Sequence, residues 1–253
     1  MTELNPIQQP TQFNVLLIGD LCTDVYQYGN VDRISPEAPV PVFSLSYEER
    51  KAGMAGNVAD NLEALGCRVN FLHGDCSTKT RLIDIRSKQQ IVRIDNDVVS
   101  QPIEFETAIP KVYDAIVISD YNKGTVSYDI IEEAIATRIP VFVDTKKTDL
   151  ERLQGAWVKI NELEYSKIKS ECTGLIVTKG AKGAVIPHHG FSSSAPAVEV
   201  VDVTGAGDTF LAALTYMYLE TKQITSAVDF SNKAASITVQ HVGCYAPNLK
   251  EIK

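Results

Sequence analysis

The sequence predicts an α/β fold, in which helices cover both faces of a central, mostly parallel β-sheet. Short apolar runs at residues 13–18, 114–119 and 140–143 have the length and composition of buried parallel strands. Segments with helical spacing lie between such runs, among them residues 127–138, which begin with a serine suited to cap a helix. Because strands and helices alternate, each face of the sheet is expected to carry a layer of helices.

Two further regions predict a small β lid beside this sheet. In residues 25–49, three prolines interrupt apolar residues spaced by two, which is typical of an edge strand or a flap. Residues 78–85 and 89–95 have the pattern of two strands joined by a short turn. Such a flap covers a site or pairs with a second copy of the chain, so a homodimer through the lid is one expectation.

The chain length fits one large α/β domain or two small ones. It has 253 residues, of which 44% are hydrophobic, and this is enough to bury a sizeable core. We predict a flexible N-terminus over residues 1–12 and a single domain over residues 13–253. Residues 25–49 and about 78–95 are predicted to form the lid of that domain.

Composition and charge exclude several classes of protein. The formal net charge is −8 and no long basic run occurs, so neither nucleic acid nor an acidic membrane surface is an expected partner. The five cysteines are scattered and form no CxxC pair, which argues against a disulfide framework and a zinc site. No apolar run approaches transmembrane length, and the polar N-terminus is unlike a signal peptide. These features predict a cytoplasmic protein.

Residues 198–219 contain the sequence pattern that most strongly indicates a functional site. Apolar residues 198–201 predict a short strand, followed by a turn through residues 204–207 and a helix that begins near Asp208. The glycines of the turn allow the backbone to approach a ligand, and the first N–H groups of a helix lack partners within it. Such a turn binds anions. From these residues alone, Asp208 either caps the helix or faces the bound anion.

A second glycine-containing stretch lies at residues 51–66. Gly53 and Gly56 precede a predicted helix, and Asn57 stands beside them. The glycines either present backbone amides, together with Asn57, to a polar ligand or allow the helix to pack tightly on the sheet. The spacing alone favours neither alternative.

Polar residues follow the predicted strands at their carboxyl ends, where open α/β sheets bind ligands. Asn161 and Glu164, one helical turn apart, are suited to orient a hydrated magnesium ion. The loop at residues 178–183 offers backbone amides and a hydroxyl to phosphates, and Asp208 would be the base. This set favours phosphoryl transfer, in which a protein mainly positions the reactants and neutralises charge. Neither GxxxxGK[ST] nor a GxGxxG after a strand is present.

Four motifs resemble the ribokinase-type (pfkB) family of carbohydrate kinases: DVTGAGDTF, KAGMAGNVADNLEALG, NELE and VTKGAKG. Within that family, segments such as GDLCTDVYQYGNVDRISPEAPVPV and VISDYNKG resemble the D-glycero-β-D-manno-heptose 7-phosphate kinase domain of bacterial ADP-heptose synthesis. The resemblance implies a ribokinase-like three-layer sandwich with a small β lid. It also implies a sugar-phosphate substrate, ATP and Mg²⁺ as cofactors, and transfer of phosphate to the anomeric hydroxyl, which gives a 1,7-bisphosphate.

The resemblance implies roles for individual residues as well. The implied catalytic group is the base Asp208 with an anion hole made of Gly205, Ala206 and Gly207. The implied ATP contacts are Thr178, Gly180, Gly183 and Asn232, with Asn161 and Glu164 binding magnesium through water. The implied sugar contacts are Asp24, Gly53 and Asn57, and the candidates for the 7-phosphate are Arg33, Lys79 and Arg81. Charges at alternate strand positions more often form a solvated face, so that alternative stays open for Lys79 and Arg81.

The chain also departs from the family pattern. Between Asp75 and Thr78 it lacks a helix and a further stretch, Met54 replaces the second glycine of a pair, and Thr145 and Lys147 replace a proline and a glycine. It ends where a fused nucleotidyltransferase domain often follows, so we expect another protein to supply that step. The leading hypothesis is a sugar-phosphate kinase. The alternatives are a non-catalytic nucleotide- or sugar-binding relative and a pfkB kinase for another sugar.

Overall fold

A computed structural model describes residues 12–104 and 112–252, and ten strands of these residues form one sheet. The strands are β1 (Asn14–Ile34), β2 (Pro41–Met54), β3 (Arg68–Asp84), β4 (Gln90–Asn96), β5 (Ala115–Asp120), β6 (Val141–Thr145), β7 (Trp157–Asn161), β8 (Leu175–Thr178), β9 (Ala184–Ile186) and β10 (Phe191–Ser193). They lie in the order β10-β9-β8-β7-β6-β5-β1-β3-β4, and β2 pairs with β1. Of the predicted flexible N-terminus, residues 1–11 lie outside the described residues.

The predicted α/β class is confirmed. Strands β1, β3, β5, β6, β7 and β8 pair in parallel, while β9 and β10 continue the sheet in antiparallel pairing. The helices are α1 (Ala55–Ala64), α2 (Tyr128–Ala136), α3 (Glu162–Tyr165), α4 (Ala206–Thr221) and α5 (Ile224–Thr238). In the described part of the chain, none of these helices is both long enough and apolar enough to cross a membrane.

Two hydrophobic cores lie on the two faces of the sheet. Side chains alternate along β1, so Val15 and Leu17 pack with α1, α4 and α5, whereas Leu16 and Ile18 pack with α2 on the opposite face. All four side chains are almost completely buried. A strand buried on both faces has to be apolar throughout, which explains the continuous apolar run at residues 15–18. The result is the three-layer sandwich that was predicted.

The lid is an extension of the core sheet. Beyond their core sections, β1 and β3 continue in parallel over residues 21–29 and 76–84. Strand β2 pairs antiparallel with the outer section of β1, and β4 pairs antiparallel with the outer section of β3. We use "the lid" for these four paired segments. The predicted β3–β4 hairpin is confirmed.

Two local predictions were wrong. In the sequence, polar residues divide each core strand from the lid strand that follows it. In the structure, β1 and β3 each run without interruption through the core and the lid, because backbone pairing continues across the polar residues. The strand predicted at residues 198–201 does not form. The N–H groups of Val201 and Asp202 both donate to the carbonyl of Val239 after α5, so this segment lies against a helix end and pairs with no strand.

Candidate active site

Asp208 is the third residue of α4 and only 5% of it is exposed. Its Oδ2 accepts a hydrogen bond from Nδ2 of Asn57 at 2.8 Å, and its Oδ1 accepts one from the Tyr121 hydroxyl at 2.7 Å. Residue Gly205 occupies the N-cap position, and no side chain caps this helix. Of the two interpretations left open by the sequence, the structure therefore rejects the cap, and Asp208 faces the residues around the turn.

Burial raises the pKa of Asp208 from its usual range to about 6. Asn57 and Tyr121 oppose this rise, because their hydrogen bonds stabilise the ionised carboxylate, and Asp144 adds to it through charge repulsion. A carboxyl group with this pKa is ionised at neutral pH and is a stronger base than a solvent-exposed aspartate. Asp208 is therefore suited to accept a proton from a bound hydroxyl.

The turn before α4 forms an anion site. Gly205 has a φ of 79°, a left-handed conformation that favours glycine. A Cβ atom at this residue would lie 2.7 Å from Nδ2 of Asn57, so the close packing also requires glycine. Among the described residues, the N–H groups of Gly207 and Asp208 have no protein acceptor. Free amides at the positive end of a helix dipole bind negative charge.

A cavity of about 410 Å³ adjoins this turn, and its size is typical of a small-molecule site. Six of the residues singled out from the sequence line it: Thr178, Gly180, Gly183, Ala206, Gly207 and Asn232. Apolar side chains such as Val200, Val203 and Phe210 form other parts of the wall. The cavity thus combines backbone amides near α4 with an apolar region that suits the flat ring of a nucleotide base.

Two of the cavity residues are fixed by Ser193 on β10. Gly183 has a φ of 89°, and a Cβ atom there would lie 2.0 Å from the Ser193 carbonyl oxygen, so only glycine fits. Nδ2 of Asn232 donates to the Ser193 hydroxyl at 2.9 Å and to its carbonyl oxygen at 3.2 Å. These contacts hold the loop and the α5 side chain on the same side of the cavity.

Asn161 and Glu164 form a capping box at the start of α3. Oδ1 of Asn161 accepts from the Glu164 N–H at 2.9 Å, and Oε2 of Glu164 accepts from the Asn161 N–H at 2.8 Å. The other oxygen of Glu164 pairs with Lys146. Because a carboxylate has about four acceptor positions, Glu164 retains capacity for a water molecule. This donor set fits magnesium bound through water better than direct coordination.

The predicted sugar contacts lie where the lid joins α1. Asp24 accepts from NH1 of Arg81 at 2.5 Å, and a Cβ atom on Gly53 would lie 2.3 Å from the second Asp24 oxygen. Lys79 is registered opposite Asp24 on β3, so both side chains lie on one face of the lid. Asn57 links this region to Asp208. The structure therefore brings Asp24, Gly53, Asn57, Lys79 and Arg81 to the same side of the site.

Arg33 is not part of this group. It is exposed and lies nine residues beyond Asp24 on β1, where it is registered with Val42 on β2. At about 3.3 Å per residue, roughly 30 Å of strand separates the two positions. Arg33 was a candidate because the 7-phosphate group needs cations, and the extended strand places it far from Asp24.

Sequence reasoning missed Tyr121, Lys51 and Lys159, which the fold adds to the site. The Tyr121 hydroxyl donates to Asp208, and the loop that carries Tyr121 is held by Asp20, which accepts from the N–H groups of Tyr121 and Lys123 at 2.8 and 3.0 Å. Lys51 on β2 is registered with Asp24, and its Nζ lies 5.8 Å from the centre of the Tyr26 ring. Lys159, on β7, is buried beside Asp144. Only the packing of strands and loops in the fold shows these contacts.

Comparison with known proteins relates part of the chain to one family. Residues 147–251 match the model for the pfkB family carbohydrate kinases, so this part of the chain is of that family. The curated relatives include the bifunctional protein HldE of Nitratiruptor sp., 34% identical over 94% of this chain and 64% of its own length, and that of Campylobacter curvus, 33% identical over the same shares. This chain thus spans less than two thirds of these relatives.

The alignment also shows that this chain is shorter than the matching part of one relative. The alignment with the Nitratiruptor protein extends over 299 positions, whereas this chain has 253 residues, so the relative carries at least 46 residues that this chain lacks. The sequence predicts that a missing stretch lies after Asp75. Because β3 passes directly from the core into the lid at this point, the described residues form a continuous sheet without it.

Solved structures support the ribokinase-like fold of the domain. The ribokinase of Arabidopsis thaliana complexed with ribose and ATP has a TM-score of 0.70 at 16% identity, covering 96% of this chain and 98% of its own. Phosphofructokinase-2 of Escherichia coli in complex with potassium has a TM-score of 0.72 at 15% identity, covering 96% and 97%. At such low identity these likenesses establish the fold alone.

Proposed function

We propose that this chain is an ATP-dependent sugar-phosphate kinase that phosphorylates the anomeric hydroxyl of D-glycero-D-manno-heptose 7-phosphate to the 1,7-bisphosphate. The position of Asp208 carries the proposal. Its buried carboxylate lies at the free N–H groups of α4, next to a cavity of nucleotide size, and contacts Asn57 at the base of the lid. A base, an anion site and two binding regions therefore meet at one point.

Asp208 takes the proton from the attacking sugar hydroxyl in this proposal. Both of its oxygens already accept a hydrogen bond, one from Asn57 and one from Tyr121. The incoming hydroxyl therefore shares the carboxylate with Asn57 or takes the place of the Tyr121 hydroxyl. Exclusion of water at this buried site strengthens each of these interactions.

The transferring phosphoryl group is stabilised by the N–H groups of Gly207 and Asp208. The loss of one comparable donor costs about 3 kcal/mol of transition-state stabilisation in other enzymes. The loop from Gly180 to Gly183 and Asn232 bind the rest of ATP along the cavity. Magnesium, held through water by Asn161 and Glu164, would neutralise negative charge on the phosphates.

The lid supplies the cations for the phosphate group of the acceptor. Lys79 and Lys51 are both registered with Asp24, and Arg81 forms an ion pair with it, so three positive groups surround one carboxylate on the inner face of the lid. An arginine fork and ammonium groups are the usual ligands of a phosphate. The choice of heptose rests on the segments that resemble the heptose 7-phosphate kinase domain.

A coupled assay for ADP tests this function. Purified protein with magnesium and ATP should turn over heptose 7-phosphate with a higher kcat/KM than fructose phosphates or ribose, and ³¹P NMR should show a phosphate on the anomeric carbon. Asp208→Asn should lower kcat about 1000-fold or more while ADP still binds. Absence of ADP formation with every acceptor, or unchanged turnover in Asp208→Asn, would overturn the proposal.

A non-catalytic nucleotide- or sugar-binding protein is the second candidate. The absence of at least 46 residues that a relative carries favours it, because a shorter chain covers less of an acceptor. Calorimetry separates the two functions. Binding of both ATP and the sugar phosphate without turnover would establish the non-catalytic role.

We also propose that the lid forms a homodimer. In the described residues, β2 pairs only with β1, so its other edge is free, and Leu45 and Tyr47 on β2 are at least half exposed. Free strand edges with exposed apolar side chains pair readily with a second chain. Sedimentation at micromolar concentration should show a dimer, and a monomer would contradict this assembly.

A further inference from the structure

Lys159 is a buried cation directly beneath the first turn of α4. It lies on β7, is 4% exposed, and its Nζ donates to Oδ2 of Asp144 at 2.6 Å. A Cβ atom built on Gly207 would lie 2.8 Å from this Nζ and 3.9 Å from Oδ2 of Asp144. The ammonium group therefore contacts the same turn whose N–H groups have no protein acceptor.

The surroundings keep Lys159 charged. Burial alone favours the neutral amine, but the attraction and hydrogen bond of Asp144 outweigh it, and the pKa of Lys159 is raised above its usual value. Asp208 and Glu164 also raise it through their negative charge. Within the described residues, Nζ makes one hydrogen bond to protein although an ammonium group has three hydrogens. It retains donors for a further acceptor.

A second buried lysine, which also pairs with an aspartate, shows that burial alone does not place an ammonium group at the anion-binding turn. Lys147 lies 3.1 Å from Asp120 and donates to the Val126 carbonyl oxygen at 2.8 Å, so both of its contacts are with the sheet and the segment before α2. The side chains of both lysines are less than 10% exposed. Only Lys159 is close to the anion-binding turn. The two buried lysine–aspartate pairs thus have the same chemical groups but lie at different places in the fold.

We propose that Lys159 is a catalytic residue whose ammonium group binds the transferred phosphoryl group together with the N–H groups of Gly207 and Asp208. The inference rests on the proposed function and deepens it. During transfer the sugar oxygen forms a bond to the γ-phosphorus, the bond to the bridging oxygen breaks with its electrons leaving on ADP, and the sugar proton passes to Asp208. Lys159 keeps its proton and stabilises charge on the phosphoryl oxygens.

Nucleotide discrimination tests the contact independently of any sugar. Calorimetry in magnesium buffer should compare ADP with an ATP analogue that has an imido bridge between its β- and γ-phosphates. In Lys159→Met the affinity for the analogue should fall by about tenfold or more, the effect of one lost charge-assisted hydrogen bond, while the affinity for ADP stays within about threefold. Equal changes for both nucleotides, or no change for either, would overturn the proposal.

Lys147→Met is the matched control, because it also removes the lysine from a buried lysine–aspartate pair. It should leave the ratio of analogue to ADP affinity unchanged even if it lowers the melting temperature. If it changes that ratio as much as Lys159→Met does, the effect is a general consequence of a broken buried pair and the proposal fails.

A double variant addresses the loss of folding that an unpaired Asp144 can cause. Lys159→Met with Asp144→Leu replaces the ion pair by apolar side chains, which buried pairs often tolerate. The double variant should fold, bind ADP and still fail to prefer the analogue; a normal preference would contradict the role of Lys159. If the native chain prefers the analogue but phosphorylates no sugar, the assigned acceptor is wrong and Lys159 stands. If the native chain shows no such preference, the Lys159 proposal fails.

Discussion

The proposed nucleotide side and the proposed acceptor side of this site differ in how the chain builds them. On the proposed nucleotide side, two short stretches, residues 178–183 and 205–208, contribute six of the residues that line the cavity, and both fall inside residues 147–251, which match the family model. On the acceptor side, Asp24, Asn57 and Arg81 come from three separate elements. This side also adjoins the region where the chain is expected to be shortened.

This difference indicates which side of the site depends on the structure of the rest of the chain. A turn such as Gly205–Asp208 places its N–H groups by local backbone geometry, so its function survives alteration elsewhere in the chain. The acceptor side depends on the register of long strands, since a shift by one residue would turn Lys51 and Lys79 to the opposite face of the lid. We therefore expect the donor chemistry to be fixed and the acceptor contacts to set specificity.

Of the three variants that probe this difference, Gly205→Ala should have the largest effect, because it disturbs the local turn. An alanine at a φ of 79° is strained, and its Cβ atom would push Nδ2 of Asn57 away from Asp208. We expect kcat to fall about 100-fold. Gly66→Ala is the matched control: its φ of 89° gives similar strain, but nothing lies within 4 Å of the added Cβ atom. Equal losses of activity in the two variants would show that strain alone matters.

Lys51→Ala should have a smaller effect that is confined to the acceptor. Loss of one ammonium contact to the sugar phosphate should raise the KM for the acceptor about tenfold and leave the KM for ATP unchanged. The neighbouring Arg50 is registered with Val25, so it lies on the opposite face of β2, and Arg50→Ala should change neither constant. A change in the KM for ATP in Lys51→Ala would contradict the division of the site into two sides.

Tyr121→Phe should have the smallest effect, visible mainly as a pH shift. The Tyr121 hydroxyl donates to the ionised Asp208 and so lowers the pKa of that carboxyl. Removal of the hydroxyl should raise this pKa, and the acid limb of the activity profile should then move to higher pH. A limb that stays in place or moves to lower pH would show that Tyr121 does not stabilise the charged base.

The residues that the sequence singled out for the proposed nucleotide side lie together at one cavity, because short-range chemistry determines their positions. Gly180, Gly183 and Gly205 have positive φ angles, a Cβ atom on Gly183 would also meet the backbone, and such requirements are readable from residue type. Arg33, Lys51 and Lys159 were misjudged or missed for the opposite reason. Their positions depend on which strands pair and in which register, and a single sequence does not contain that pairing.

The resemblance to a family identified residues but not their local partners. Asn161 and Glu164 were expected to orient magnesium, and the structure shows that each also caps the start of α3 through the other's backbone N–H. Asp208 was left between a cap and a base by its position alone. The N-cap position of Gly205 and the contacts of Asp208 with Asn57 and Tyr121 separate these alternatives. Both contacts join residues that are distant in the sequence.

The pH dependence of kcat/KM in the native chain tests the role of Asp208 as the base most directly. Burial holds its folded-state pKa at about 6, above the usual value for an aspartate, so the reactive carboxylate is lost as pH falls through about 6. With heptose 7-phosphate as acceptor, activity should be constant above this pH and decline about tenfold per unit below it. A profile that stays flat down to pH 5 would contradict a buried aspartate as the group that accepts the proton.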